Sequence, residues 1–216
     1  MGALVAGRAA VGVHQRRKVF ELRNQYTLTG EGGEVIGAVE QVDQWPLAWL
    51  ARLVSGFDVA LPVTLAVTES DGGTALRLRK PWFRFRVTVT GPDQAMLGHV
   101  RKRVRLGKAV FSVSGPAGEP VGRLRAQNWR ARNFRFEDPS GSEVARVTKK
   151  WRGLLTEAFT DADSYAVTFP PTTSEPVRQL ALAAALAVDL TMKQKDYSST
   201  CSTSARGQLP GGPRSR

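Results

Sequence analysis

Cysteine is nearly absent from this 216-residue chain. Cys201 stands alone, so no intramolecular disulfide forms and no Cys-based zinc site exists, which is compatible with a reducing compartment. Histidine is almost as scarce. His14 and His99 lie far apart, in neither metal-ligand nor triad-like spacing. No Walker-type glycine loop is present and no dinucleotide fingerprint follows a strand. No nucleophile, base and orienter can be assigned either. These absences argue against an enzyme, and neither a small-molecule substrate nor a resident cofactor is expected. No run reaches the ~18 consecutive apolar residues of a membrane-spanning helix. A secretory signal is not expected, because the small apolar residues from Ala3 to Val13 precede the charges Arg16, Arg17 and Lys18. The expected location is therefore cytoplasmic.

What the middle of the chain lacks is acid. Residues 77–132 hold fourteen bases against Asp93 and Glu119 alone, and both ends are basic, within a net charge of +12. Residues 19–76 and 133–192 carry more acids than bases. Charge segregated in this way points to an anionic partner, a membrane surface or nucleic acid, against the plainer reading of a solvated arginine-rich surface.

What the chain does have is alternation. Phe20, Leu22, Tyr26 and Leu28 alternate with polar residues up to the turn at Gly30-Glu31-Gly32-Gly33. Val59 to Val67 alternates before Asp71-Gly72-Gly73, and similar pairs follow at Phe83/Phe85, Phe111/Val113, Phe134/Phe136 and Tyr165/Val167/Phe169. Short strands with frequent turn signals predict an all-β sandwich or barrel. A weak repeat supports hairpins of one kind: an alternating pair, a Gly/Pro turn, then a small-residue return strand. It occurs at Tyr26-x-Leu28…Ile36-Gly37, Phe85-x-Val87…Leu97-Gly98, Phe111-x-Val113…Val121-Gly122 and Phe134-x-Phe136…Val144-Ala145. The segment from Trp45 to Val54 breaks the pattern and is read as a packed cap over one barrel end, with interfacial insertion as the alternative.

Ser174 and Pro176 then open a helix expected to run to about Met192. From Leu180 to Val188 it contains no polar residue, so it is buried on all sides. At ~1.5 Å per residue that run covers about 14 Å, against roughly 30 Å for a bilayer core, which favours burial in protein. Its many alanines make it thin, and a thin apolar rod fits the axis of a closed barrel. The expected organisation is a flexible basic arm at 1–17, a barrel domain at 18–192 with its core helix near 176–192, and a disordered basic tail at 193–216. The expected fold is mainly β: a closed antiparallel barrel of about twelve strands around a buried C-terminal helix.

Two clusters carry candidate chemistry. On a strand, Arg101, Arg103 and Arg105 share a face opposite Val100, Lys102 and Val104. With Lys102, Lys149, Lys150 and Arg152 they form the candidate head-group site, each base contributing ~1 kcal/mol near an anionic surface. Nucleic acid would accept the same charge, but no solvent-facing aromatics for base stacking are evident beside it. Asp161 and Asp163 have the i, i+2 spacing that opens a calcium loop. The positions of an EF-hand that follow hold Tyr165, Ala166, Phe169 and Thr172, so a turn is the plainer reading and weak calcium binding the alternative.

The run Lys149-Lys150-Trp151-Arg152-Gly153, then Glu157, Phe159, Thr160-Asp161-Ala162-Asp163-x-Tyr165, Phe169-Pro170 and the helix ending Val188-Asp189-Leu190, resembles the C-terminal half of the phospholipid scramblase family. The likeness extends to LURP-one-related proteins and Tubby, which share a barrel closed around a hydrophobic C-terminal helix. The resemblance implies phospholipid handling at a membrane surface, with calcium-stimulated, ATP-independent lipid movement between leaflets as the name-giving activity. Against the family's pattern, a Pro-rich N-terminal region and a palmitoylatable cysteine cluster are missing. Thr172 stands where an acidic calcium-segment residue is expected. The expected function is thus peripheral binding of anionic phospholipid at a membrane, with lipid scrambling as its extension. The alternative is a soluble Tubby-like interaction or regulatory barrel, associated with nucleic acid.

Overall fold

A computed structural model describes residues 4–15, 25–42, 62–81, 86–105, 108–127, 133–149 and 164–204. The apolar residue at every second position goes inward along each strand, and the strands follow one another in chain order. They are β1 (Ala10–Gln15), β2 (Gln25–Thr29), β3 (Val35–Gln41), β4 (Val63–Glu69), β5 (Thr74–Lys80) and β6 (Arg86–Thr90). The meander continues with β7 (Met96–Arg105), β8 (Lys108–Ser114), β9 (Pro120–Ala126), β10 (Asn133–Glu137), β11 (Glu143–Lys149) and β12 (Tyr165–Thr168). All pairings are antiparallel, and β12 pairs with β1 to close a twelve-stranded barrel. Closure leaves no strand edge to pair with another chain.

The sequence repeat corresponds to one turn used five times. In each hairpin a backbone N–H donates to the carbonyl four residues on, as Gly91 does to Ala95 and Gly115 to Glu119. The fourth residue of the turn takes positive φ, at Gly33, Gly72, Gln94, Gly118 and Gly141. A turn completed by a left-handed residue forms a bulged hairpin, and the register shifts beside all five, as between Val113 and Ser114. The return-strand glycines have a specific reason. A Cβ at Gly37, Gly98 or Gly122 would lie 2.3, 2.2 or 2.4 Å from the carbonyl oxygen of Thr68, Ser114 or Glu137, at the bulge of an adjoining strand. Glycine is needed there for the close approach of two backbones.

The barrel is filled by α1 (Glu175–Ser204). Every residue from Leu180 to Val188 is buried against inward side chains such as Leu65, Leu78, Phe111 and Phe136. The first turn is fastened by Arg178, buried without a carboxylate. Its Nε donates to Thr173 O at 2.8 Å, its Nη1 to Arg8 O, and its Nη2 to Pro170 O and Pro171 O at 3.3 and 3.4 Å. The guanidinium also stands 5.5 Å from the Phe169 ring centroid. Buried charge is tolerated where hydrogen bonds satisfy it. Further along, the Tyr26 hydroxyl donates to Asp189 Oδ2 at 2.7 Å, giving the helix its polar anchor to the wall.

Two boundaries differ from expectation. The N-terminal residues are not a flexible arm to position 17. Leu4 and Val5 are buried, and Ala10–Gln15 is the strand that closes the barrel, so the domain starts before residue 18. His14, read as part of the arm, is buried; its Nδ1 lies 3.1 Å from Ser164 Oγ and its Nε2 2.9 Å from Thr29 Oγ1. Gly12 leaves room for that contact, since a Cβ there would sit 2.4 Å from Thr29 Oγ1. At the other end, helix continues through Ser204 where a disordered tail from 193 was expected. Once nucleated, a helix propagates through residues such as Met192, Lys193, Gln194 and Lys195 without an apolar period. The segment from Trp45 to Val54 lies outside the described residues.

Candidate anion-binding site

Because most inward positions are apolar, the described arginine side chains of β5 to β11 stand outward, while Lys80 is buried, and hairpin register sets which bases become neighbours. Arg86 on β6 pairs with Arg101 on β7, Arg101 with Ser112 on β8, and Ser112 with Arg123 on β9. One step along the strands, Arg103 begins a second row that continues through Val110, Arg125, Arg135 and Arg146. Cross-strand partners are about 4.5–5.5 Å apart at Cα, and same-face neighbours on a strand about 6.8 Å. The outer wall from β6 to β11 is therefore a two-row lattice of guanidinium groups.

The two halves of this wall differ in their acids. On β9 to β11 the charges are compensated. Glu137 lies 3.5 Å from Arg123 and 3.8 Å from Arg125, while Glu143 lies 2.7 Å from both Arg135 and Arg146. The Arg146 hydrogen bond in particular holds Glu143 below the usual carboxylate range. On β6 and β7 no carboxylate pairs with Arg86, Arg101 or Arg103 among the described residues, and all three are exposed. Like charges directly opposite on neighbouring strands are destabilising, so the Arg86–Arg101 pairing costs stability that an anion would recover.

These three arginines line an open groove of about 510 Å³. Its polar lining is completed by His99, Ser112 and Ser114, and its lip is the β8–β9 turn with Pro116, Ala117 and Pro120. His99 Nδ1 stands 3.4 Å from Thr88 Oγ1 on the next strand. Guanidinium forks, the Ser114 hydroxyl and an imidazole form a donor set suited to phosphate oxygens, while the Ser112 hydroxyl donates to Arg101 O at 3.3 Å. Among the described residues, no Phe, Tyr or Trp side chain lines the groove.

Of the site residues expected from sequence, Arg101 and Arg103 are in the groove. Arg105 ends β7, in register with Lys108. Lys102 is not part of this face. It alternates with the arginines, shares the inward side with buried Val100, and its Nζ is 5.9 Å from the ring centroid of buried Phe111. Nor does the fold bring Lys149 to the cluster, because β11 stands four strands from β7 in the barrel order. Lys150, Arg152, Asp161 and Asp163 lie outside the described residues. Among those described, no group of three or more His, Cys, Asp or Glu is placed to hold a metal ion. Sequence reading missed Arg86, His99, Ser112 and Ser114. Their alternation with Val87, Val100 and Val113 marked them as outward, but only the register makes them neighbours.

Comparison with known proteins adds three findings. The scramblase family model matches residues 17–195. Human phospholipid scramblase 4 is 22% identical over 188 residues, covering 79% of this chain; the chain spans 55% of that relative's length. A crystal structure of an Arabidopsis thaliana protein is similar in fold, with a TM-score of 0.52 at 14% identity over 87% of this chain and 94% of the other.

Proposed function

The chain belongs to the scramblase family, and from that premise we propose that it binds anionic phospholipid at the cytoplasmic surface of a membrane, docking peripherally through the outer wall of β6 to β8. The observation that carries this reading is the set of exposed arginines, Arg86, Arg101 and Arg103, side by side without carboxylate partners among the described residues, while those on β9 to β11 are paired. Each such base near an anionic surface contributes ~1 kcal/mol. No helix among the described residues is long and apolar enough to cross a membrane, and the reading requires none. Binding of this kind involves no covalent chemistry, and no step of it uses calcium. Movement of phospholipid between leaflets without ATP is the further activity that family membership suggests.

Vesicle co-sedimentation tests the docking. Phosphatidylserine-containing vesicles should capture the full chain and neutral phosphatidylcholine vesicles should not. Capture should fall steeply between low and physiological salt, where exposed charges are screened within ~8–10 Å. Equal binding to neutral vesicles contradicts the proposal. So does preferential binding to an oligonucleotide, which would favour the nucleic-acid alternative.

A further inference from the structure

The groove on β6 to β8 differs from a diffuse basic surface in geometry, and the difference has a consequence for which lipid it takes. Resting on the docking reading above, we propose that Arg86, Arg101 and Arg103 form a discrete site for one phosphomonoester head group, such as that of phosphatidate. Among the described residues, three arginines and no carboxylate line one concavity of about 510 Å³. A phosphodiester brings a single negative charge to that site. A terminal phosphate brings about −1.5 to −2 and three strong acceptor oxygens.

The remaining lining fits the same ligand. Ser112 stands in register with Arg101, and Ser114 with His99 in the adjoining row, so a hydroxyl and an imidazole lie beside the arginines. The Ser114 hydroxyl and the His99 imidazole can add hydrogen bonds to oxygens that the guanidinium forks hold in bidentate fashion. The lip made by Pro116, Ala117 and Pro120 is apolar and exposed, and it can rest against the glycerol and upper acyl region of a lipid. The Arg86–Arg101 repulsion is relieved when both groups share one dianion. The paired arginines of β9 to β11 offer no such gain, because Glu137 and Glu143 already occupy their forks.

The test separates geometry from charge. Phosphatidylcholine vesicles doped with phosphatidate or with phosphatidylserine are brought to equal surface charge, and the full chain is titrated with each. Wild-type protein should prefer phosphatidate by about fivefold, the net contribution of roughly one further hydrogen bond from the guanidinium forks to the extra phosphate oxygen. The triple variant Arg86→Lys, Arg101→Lys, Arg103→Lys keeps every charge but loses the planar forks. It should bind both vesicles alike, with its affinity for phosphatidylserine retained. In solution, glycerol 3-phosphate should shift the Nε–H resonances of these three arginines in the wild-type protein, and dimethyl phosphate should not. Thermal melts establish that the variant is folded.

Equal binding to the two anionic vesicles by wild type overturns the proposal while leaving peripheral docking intact. A preference that survives the lysine variant also overturns it. If neither anionic vesicle binds yet glycerol 3-phosphate still shifts the three arginines, the docking reading fails and the groove's ligand is a soluble phosphate ester, not a lipid.

Discussion

Replacing Leu186 tests the filled barrel directly. Leu186 is fully buried (0% exposed), midway along the stretch of α1 inside the wall. Leu→Ala substitutions in cores cost about 2–5 kcal/mol, rising with the cavity left behind. Here relaxation is opposed on both sides. Ala185 and Ala187 have no bulk with which to fill the gap, and a wall hydrogen-bonded all the way round cannot fold inward. Leu186→Ala should therefore fall in the upper part of that range, about 4 kcal/mol. For a chain of this size each kcal/mol lowers Tm by roughly 2–4 °C, so the melting point should drop by roughly 8–16 °C. Leu186→Asp goes further, since an isolated buried charge costs several kcal/mol against a total stability of roughly 5–15 kcal/mol, and it should prevent folding. Val35→Ala, at an exposed position on β3, is the control and should stay within about 0.5 kcal/mol. Calorimetry and urea denaturation read all three. A Leu186→Ala melt like that of Val35→Ala, or a folded Leu186→Asp, would show that the helix is not the core of the barrel.

Three further outcomes follow from the same geometry. Burial lowers the His14 pKa from its ordinary 6.5, so the unfolded chain takes up the proton first; this contribution to stability is present above about pH 6.5 and is lost as the pH falls from there toward the depressed folded value. Urea midpoints measured against pH should show that acid-side loss, and His14→Gln should remove it; an unchanged slope contradicts the assignment. Arg178→Ala removes the donors to four backbone carbonyls at the start of α1 and should cost about 3 kcal/mol or more in urea denaturation, whereas a cost below about 1 kcal/mol would mean that the carbonyls do not depend on it. Gly37→Ala places a Cβ 2.3 Å from Thr68 O and should destabilise by well over the ~1 kcal/mol typical of point substitutions, and a neutral effect on the thermal melt would count against the close backbone approach.

The barrel was legible because two periods run through the chain undisturbed. Pairs such as Leu65/Val67 and Phe111/Val113 alternate as half-buried strands must, and Leu180 to Val188 lacks the polar face that any exposed helix needs. The first strand was not, since Ala10–Gln15 is short, small-sided and followed at once by three bases. Its role is set by the need to close the sheet against Tyr165–Thr168, a pairing more than a hundred and fifty residues distant in sequence. The site was half legible. Arg101 and Arg103 stand out as charge density, but the adjacency of Arg86 depends on a bulged turn that fixes the β6–β7 register. Lys102 joined the cluster in the sequence and left it in the structure, because alternation turns it toward Phe111. The linear chain shows the acid-poor block at 77–132, but which arginines Glu137 and Glu143 pair is set by the register of β9 to β11.

The central claim, that the uncompensated arginines of β6 and β7 face the bilayer, is tested most directly by two variants of equal charge. Arg86→Gln, Arg101→Gln, Arg103→Gln and Arg123→Gln, Arg125→Gln, Arg146→Gln each remove three positive charges from one outer wall. Binding to phosphatidylserine vesicles at low salt should fall by about a hundredfold in the first, at ~1 kcal/mol per base, and by only a few-fold in the second. Equal losses in the two variants would mean that net charge alone attracts the protein to the membrane, and that this face of the barrel has no special part in docking.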